Sequence, residues 1–166
     1  VMSISNKAGE WLQETIRSLE VGDSVDISIS SEDTRWNNVV DAVGAMYWIL
    51  KDGVVNTSIS DGQTAPRTAV GMRSDGSLVF YTIDGRQKGL SIGATIQMVA
   101  QRLKELGCRN AVLLDGGGST TLVSTYPDYG TSSSVNSPSE GTPRSVSNAI
   151  FLVSNLKATG KAGSLY

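Results

Sequence analysis

The chain has 166 residues, 39% hydrophobic and 18% charged, which suits one globular domain with a real core and argues against disorder. Lys plus Arg is 14 and Asp plus Glu is 16, a formal charge of −2, so the balance points neither to nucleic acid nor to an anionic membrane, and no apolar run reaches the ~20 residues of a membrane span. The absence of histidine excludes Ser-His-Asp and Cys-His catalysis and His-ligated zinc, and the single cysteine, Cys108, excludes an internal disulfide.

Lys7 to Glu20 reads as a helix, with Trp11, Leu12, Ile16 and Leu19 at helical spacing and Glu10, Glu14 and Arg17 on the wetter side. Ser24 to Ser30 alternates Val25, Ile27 and Ile29 with polar residues, the pattern of a half-buried strand, and Ser31 to Asn38 is a polar loop. A turn or short helix from Val39 leads into a strand at Met46 to Leu50, and Lys51-Asp52-Gly53 turns the chain back into Val54-Val55. Asn56 to Ala65 is an exposed loop. Arg67 to Arg73 and Leu78 to Asp84 form a hairpin across Ser74-Asp75-Gly76-Ser77.

Ser91 to Leu106 is the clearest helix, capped by Ser91, striped by Ile92, Ile96, Val99, Leu103 and Leu106, and stopped by Gly107. Cys108 beside its end reads as a small buried residue rather than a nucleophile. The run Asn110 to Asp115 is a short strand buried on both faces, and Thr120 to Thr125 is another. Tyr126 to Arg144 is a long loop rich in Ser, Pro and Gly, of the length that carries function. A closing strand from Val146 to Val153 and a tail from Asn155 follow. The order predicts a single α+β domain, a mixed and mainly antiparallel sheet with two main helices packed on it.

Three segments combine a strand end, a charged residue and hydroxyls, the last two with glycine as well: Ala65-Pro66-Arg67-Thr68-Ala69, Thr82-Ile83-Asp84-Gly85-Arg86-Gln87 and Leu114-Asp115-Gly116-Gly117-Gly118-Ser119-Thr120-Thr121. An Asp after a buried strand is delivered to the sheet's edge. Glycines there permit close backbone approach and can expose amides as an anion-binding nest, and hydroxyls add donors. The segments of Arg67 and Asp84, taken alone, are more often structural, whereas the unusual triple glycine after Asp115 favours function. Together with Arg144 they offer three arginines, whose forks bind phosphate bidentately, and two aspartates. The summed reading is a site for a phosphate-bearing substrate with one or two carboxylates for catalysis. P-loop, dinucleotide-fold and EF-hand patterns are absent; Ca²⁺ on scattered Asp carboxylates stays open, with no metal ligand assigned.

These segments, taken in order with Asp75-Gly76, Ser91-x-Gly93, Val135-Asn136, Arg144 and Ser147-Asn148-Ala149-Ile150, resemble the phosphodiester glycosidase family over about residues 24–153, leaving 154–166 as a tail. The resemblance implies hydrolysis of a sugar 1-phosphodiester, of the N-acetylglucosamine-1-phosphate type, to free sugar and a phosphomonoester. It also implies a place outside the cell or in its envelope. Family domains begin with an Asn-Gly-x-Phe-Phe-like segment that has no counterpart here. The chain therefore reads as the C-terminal part of a family domain, its pocket completed by that N-terminal segment or by a second copy.

Glycosyl phosphates have a good, already anionic leaving group, so cation and amide donors on the phosphate and a carboxylate at the anomeric face suffice, and histidine is dispensable. On this reading Asp115 is base or nucleophile and Asp84 the second carboxylate. Arg67, Arg86 and Arg144 hold the phosphate, Thr68, Gly116, Gly117, Gly118, Ser119 and Thr120 line it, and Asn136 and Asn148 stand at the rim. The alternative is a non-catalytic domain of an envelope protein that binds carbohydrate or sugar phosphate.

Overall fold

The computed structural model describes residues 4–26, 28, 31–125 and 132–153. Two compact units divide the chain, Val1–Ala42 and Val43–Tyr166. The first holds helix α1 (Glu10–Arg17), shorter at both ends than the spacing predicts, and a 3-10 helix over Thr34–Asn38 inside the expected loop. The Asp33 carboxylate caps that turn by accepting from Arg35 N at 3.0 Å. The strand predicted over Ser24 to Ser30 does not form at 24–26 or 28, and residues 27 and 29–30 lie outside the described residues. Alternation specifies a strand only where a neighbour completes its ladder, and no described strand pairs there.

The second unit is built on a five-stranded sheet in the order β2-β1-β5-β3-β4: β1 Tyr47–Lys51, β2 Val54–Val55, β3 Arg67–Arg73, β4 Leu78–Ile83 and β5 Cys108–Leu113. Every pairing in it is antiparallel. The fold is α+β, as its sequence predicts. Asp52 at φ 50° and Gly53 at φ 79° make the left-handed pair that a two-residue hairpin needs between β1 and β2. The β3–β4 hairpin forms across residues 74–77, with the Asp75 carboxylate accepting from Ser77 N at 2.9 Å.

Helix α2 (Ile96–Glu105) packs Ile96, Val99, Ala100 and Leu103 on Ile49, Leu50, Ala69, Ala111 and Leu113 of the sheet. Alternation along β5 leaves Ala111 and Leu113 buried and Val112 only half so, where burial on both faces is the sequence expectation. Across the other face the register lines up Trp48, Val112, Val70 and Phe80, and Trp48 stays 54% exposed. Cys108 lies in the core, where burial pushes its thiol up.

Helix α2 begins later than predicted. Thr95 caps it, accepting from Met98 N at 3.2 Å, because Ala94 is drawn into a bridge with Ala65. The Ser91 hydroxyl instead donates to the Asp84 carbonyl at 2.6 Å. Gly107 ends the helix at φ 84° as expected.

Past the sheet, β6 (Val123–Thr125) pairs with β7 (Ser132–Ser134), so the long loop contains a strand, and residues 126–131 lie outside the described residues. The closing strand predicted at Val146 to Val153 is irregular chain without a ladder partner among the described residues, and the tail from residue 154 lies outside them.

Two substitutions check this packing. Leu103→Ala removes a fully buried side chain and should lower stability by ~2–5 kcal/mol in urea unfolding. Met98→Ala, on the same helix but 56% exposed, should stay within ~0.5 kcal/mol of the parent. Equal effects would contradict the helix face assigned to the core.

Candidate functional site

The antiparallel register carries the start of β3 and the ends of β4 and β5 to one end of the sheet: Arg67 pairs with Ile83, Ala69 with Leu113, and Leu114 N donates to Thr68 O at 2.9 Å. The three segments therefore converge. Their backbones touch around the buried Pro66, whose carbonyl accepts from Gly117 N at 2.9 Å. A Cβ at Gly93, which sits at φ +97°, would lie 2.5 Å from the Ala65 carbonyl, and one at Gly116 would lie 2.7 Å from Pro66 O. Only glycine allows both contacts.

Arg67 is buried at 8% exposure, and its guanidinium is engaged within the fold. Nε donates to Ala94 O at 3.1 Å, and Nη2 donates to the Asp61 carboxylate at 2.7 Å and to Gln63 O at 2.9 Å. Sequence reading places it on the phosphate; the structure places it beneath the site, pinning the 56–65 loop. Burial pushes Asp61 up, and hydrogen bonds from Arg67 and from the amide of Gln63, with the Arg67 charge, outweigh it and hold the carboxyl below its usual range.

Asp84 is engaged in the same manner. One oxygen accepts from Asn136 Nδ2 at 2.9 Å, and the other accepts from Ser137 N at 2.9 Å. Asn136 also accepts from Leu122 N at 2.8 Å and donates to Thr120 O at 3.1 Å. Gln87 and Ser137 exchange two further bonds, Nε2 to the carbonyl at 2.8 Å and hydroxyl to Oε1 at 2.9 Å. Asp84 and Asn136, expected as second carboxylate and rim residue, thus clasp the long loop to the end of β4. The Thr68 hydroxyl donates to that of buried Thr120 at 3.2 Å, behind the glycine loop.

Asp115 remains exposed at the rim. Its carboxylate accepts from Gly116 N at 2.8 Å. The amides of Gly117, Ser119 and Thr120 donate to Pro66 O, Gly116 O and Gly117 O, so most of the expected nest is satisfied internally. The triple glycine has another use: it leaves bare backbone on which two arginines lie. A Cβ at Gly117 would be 3.1 Å from Arg86 Nη1, and one at Gly118 would overlap the guanidinium of Arg144 and the carboxylate of Glu140. Arg86 is aimed there from a left-handed backbone at φ 57°, a conformation worth about 1 kcal/mol of strain in a non-glycine residue.

Arg144 donates from Nε to Glu140 Oε2 at 3.1 Å and from Nη2 to Oε1. The hydrogen bond from Arg144 holds Glu140 below the usual carboxylate range, with the charges of Arg144 and Arg86 adding to it. Arg144 is raised by Glu140 first and by the Asp115 charge as well. Arg86, Arg144, Asp115 and Glu140 therefore form one charge cluster on the glycine loop. Asn148 is exposed in irregular chain and has no hydrogen bond to the cluster among the described residues.

Sequence reasoning missed Glu140, Gln87, Ser137 and Asp61. The signal for Glu140 was its place four residues before Arg144; Gln87 lies in the Asp84 segment that the sequence singles out but is given no role there, and Asp61 and Ser137 are polar loop residues without a distinguishing pattern. Among the described residues no group of three or more carboxylate or Cys side chains could hold a metal ion.

Residues 3–153 match the phosphodiester glycosidase (NAGPA) family, reaching further toward the N-terminus than the motifs do. Over 78 residues the chain is 42% identical to the SPbeta prophage-derived uncharacterized protein YomE of Bacillus subtilis (strain 168), covering 44% of this chain and 12% of that protein. Among solved structures it is similar to the catalytic domain of zebrafish N-acetylglucosamine-1-phosphodiester alpha-N-acetylglucosaminidase, auto-inhibited by its pro-peptide, at 26% identity and a TM-score of 0.44, over 63% of this chain and 39% of that one. A hypothetical protein from Synechocystis is similar at 28% identity and a TM-score of 0.43, over 54% of this chain and 18% of its own. The chain spans well under half the length of each of these relatives.

The role of Arg67 beneath the site is open to a stability measurement. Arg67→Ala should cost ~2–3 kcal/mol at neutral pH, since it removes a buried guanidinium together with its ion pair to the half-exposed Asp61 and its hydrogen bonds to Ala94 O and Gln63 O. Asp61 is depressed in the folded state, so the stability it contributes is present above its unfolded pKa and lost as pH falls through the folded one. The penalty of Arg67→Ala should therefore shrink in acid, as read by urea unfolding at pH 7 and pH 3. An unchanged penalty would remove the Asp61 pair from the account.

Proposed function

The chain belongs to the phosphodiester glycosidase family, and from that premise we propose that it hydrolyses a sugar 1-phosphodiester at the anomeric carbon, releasing free sugar and a phosphomonoester. The observation that carries the reading is the exposed Asp115 carboxylate beside two arginines laid on a side-chain-free loop. Arg86 and Arg144 would receive the phosphate, where their fixed positive charge stabilises the leaving group as it develops. Asp115 would take a proton from the attacking water. The new bond forms from water oxygen to the anomeric carbon, the bond from that carbon to the phosphate oxygen breaks, and its electron pair leaves on the phosphate.

In this proposal Arg67 and Asp84 are positioning residues. Arg67 fixes the strand entry under the glycine loop, and Asp84 clasps the long loop that delivers Arg144. A substrate of the N-acetylglucosamine-1-phosphate type and a place outside the cytoplasm are part of the proposal and rest on family resemblance.

Turnover of N-acetylglucosamine-α-1-phosphate diesters, followed as free reducing sugar, tests it. Asp115→Asn should lower kcat by ~100-fold or more with an unchanged melting temperature, because Asp115 is exposed and makes one local hydrogen bond. Retained turnover in Asp115→Asn would remove it from the role. Saturable binding without turnover in the parent would favour the sugar-phosphate-binding alternative.

A further inference from the structure

The cluster contains a carboxylate that the proposed reaction does not use. Glu140 offers both oxygens to Arg144, and the pair rests on the bare backbone of Gly118. A carboxylate in an arginine fork has the geometry that a phosphate would take there. Side chains of Arg144 and Glu140 are 47% and 46% exposed, so the pair contributes little to stability and the fold does not require it. Two positive and two negative side chains, Arg86, Arg144, Asp115 and Glu140, sum to zero on three consecutive glycines.

We propose that Glu140 is the charge selector of this site: its carboxylate holds the Arg144 fork until substrate arrives and admits a phosphodiester monoanion in preference to a phosphomonoester dianion. The inference rests on the reading that the site receives a phosphate group. An incoming phosphate displaces Glu140 from the fork but not from the neighbourhood, since Pro138 is buried and Ser137 is clasped by Asp84 and Gln87. The remaining negative charge repels the ligand in proportion to the ligand's own charge, so a dianion is penalised about twice as much as a monoanion. Hydrolysis converts the diester into a monoester whose second pKa is ~6. The same carboxylate therefore tolerates the substrate and expels the product.

Dimethyl phosphate and methyl phosphate, monoanion and dianion at pH 8, are the probes, titrated into the chain and followed by the NMR signals of the arginine Nε groups. The parent should bind dimethyl phosphate more tightly. Glu140→Gln and Glu140→Ala should each raise affinity for methyl phosphate by ~10-fold and for dimethyl phosphate by ~3-fold at most, with the gap narrowing in high salt. Melting temperatures of both variants should match the parent. An unchanged ratio between the probes would overturn the selector while leaving the phosphate site intact. Equal weakening of both probes would also overturn it and make Glu140 a mere support for Arg144. No binding of either probe to any of the three proteins would overturn the selector and the phosphate reading together.

Discussion

The close passage of three backbones around Pro66 is the constraint from which the rest of the site follows. Strand β3 enters the sheet between the loop after β4 and the loop after β5, at distances that leave no room for a Cβ at Gly93 or Gly116. Such contact orders three loops at once, and its entropic cost is offset by the buried core immediately beyond it. With the backbones locked, the rim residues have fixed origins. Asp115 leaves from the end of a central strand, Arg86 from a left-handed turn, and Arg144 from a loop clasped to β4. The precision that a charged site needs comes here from main-chain contact rather than from a shell of side chains.

The arginines divide by depth. Arg67 is buried, and three acceptors engage its guanidinium. A buried guanidinium without them would be expensive, so its hydrogen bonds are a condition of its presence in the core. Arg86 and Arg144 lie at the surface on glycine backbone, where exchange of one anion for another costs little. A binding group must be able to change partners, whereas a structural one must not. That physical distinction, rather than residue type, separates Arg67 from the two arginines for which phosphate binding is proposed.

Much of the frame is legible in the sequence, because it rests on local signals. Asp52-Gly53, Asp75-Gly76 and Gly107 mark turns by their backbone conformation, and Val99, Leu103, Ala111 and Leu113 mark a core by period. The convergence of Arg67, Asp84, Arg86 and Asp115 is legible as well, since each follows or begins a strand. What the sequence does not reveal is long-range partnership. Nothing near Arg67 announces Ala94 O, and nothing near Asp84 announces Asn136 and Ser137, 52 and 53 residues away. For the same reason residues 24–26 and 28, and the segment at 146–153, carry a strand pattern without a strand among the described residues: a side-chain pattern encodes a face, while a ladder needs a partner elsewhere in the chain.

The four carboxylates near the site show how such partnerships assign chemistry. Asp61 is paired with a buried guanidinium, Asp84 accepts from an amide side chain and a backbone amide, and Glu140 fills an arginine fork. Each hydrogen bond to a carboxylate oxygen fixes the direction of that oxygen. Asp115, with a single short-range bond from its own neighbour, keeps both freedom of direction and access to solvent. In the proposed reaction the base is a carboxylate, and it is placed on the one that the fold engages least. The preference for Asp115 over Asp84 therefore follows from counting donors, which identical residue types at two strand ends cannot reveal from sequence alone.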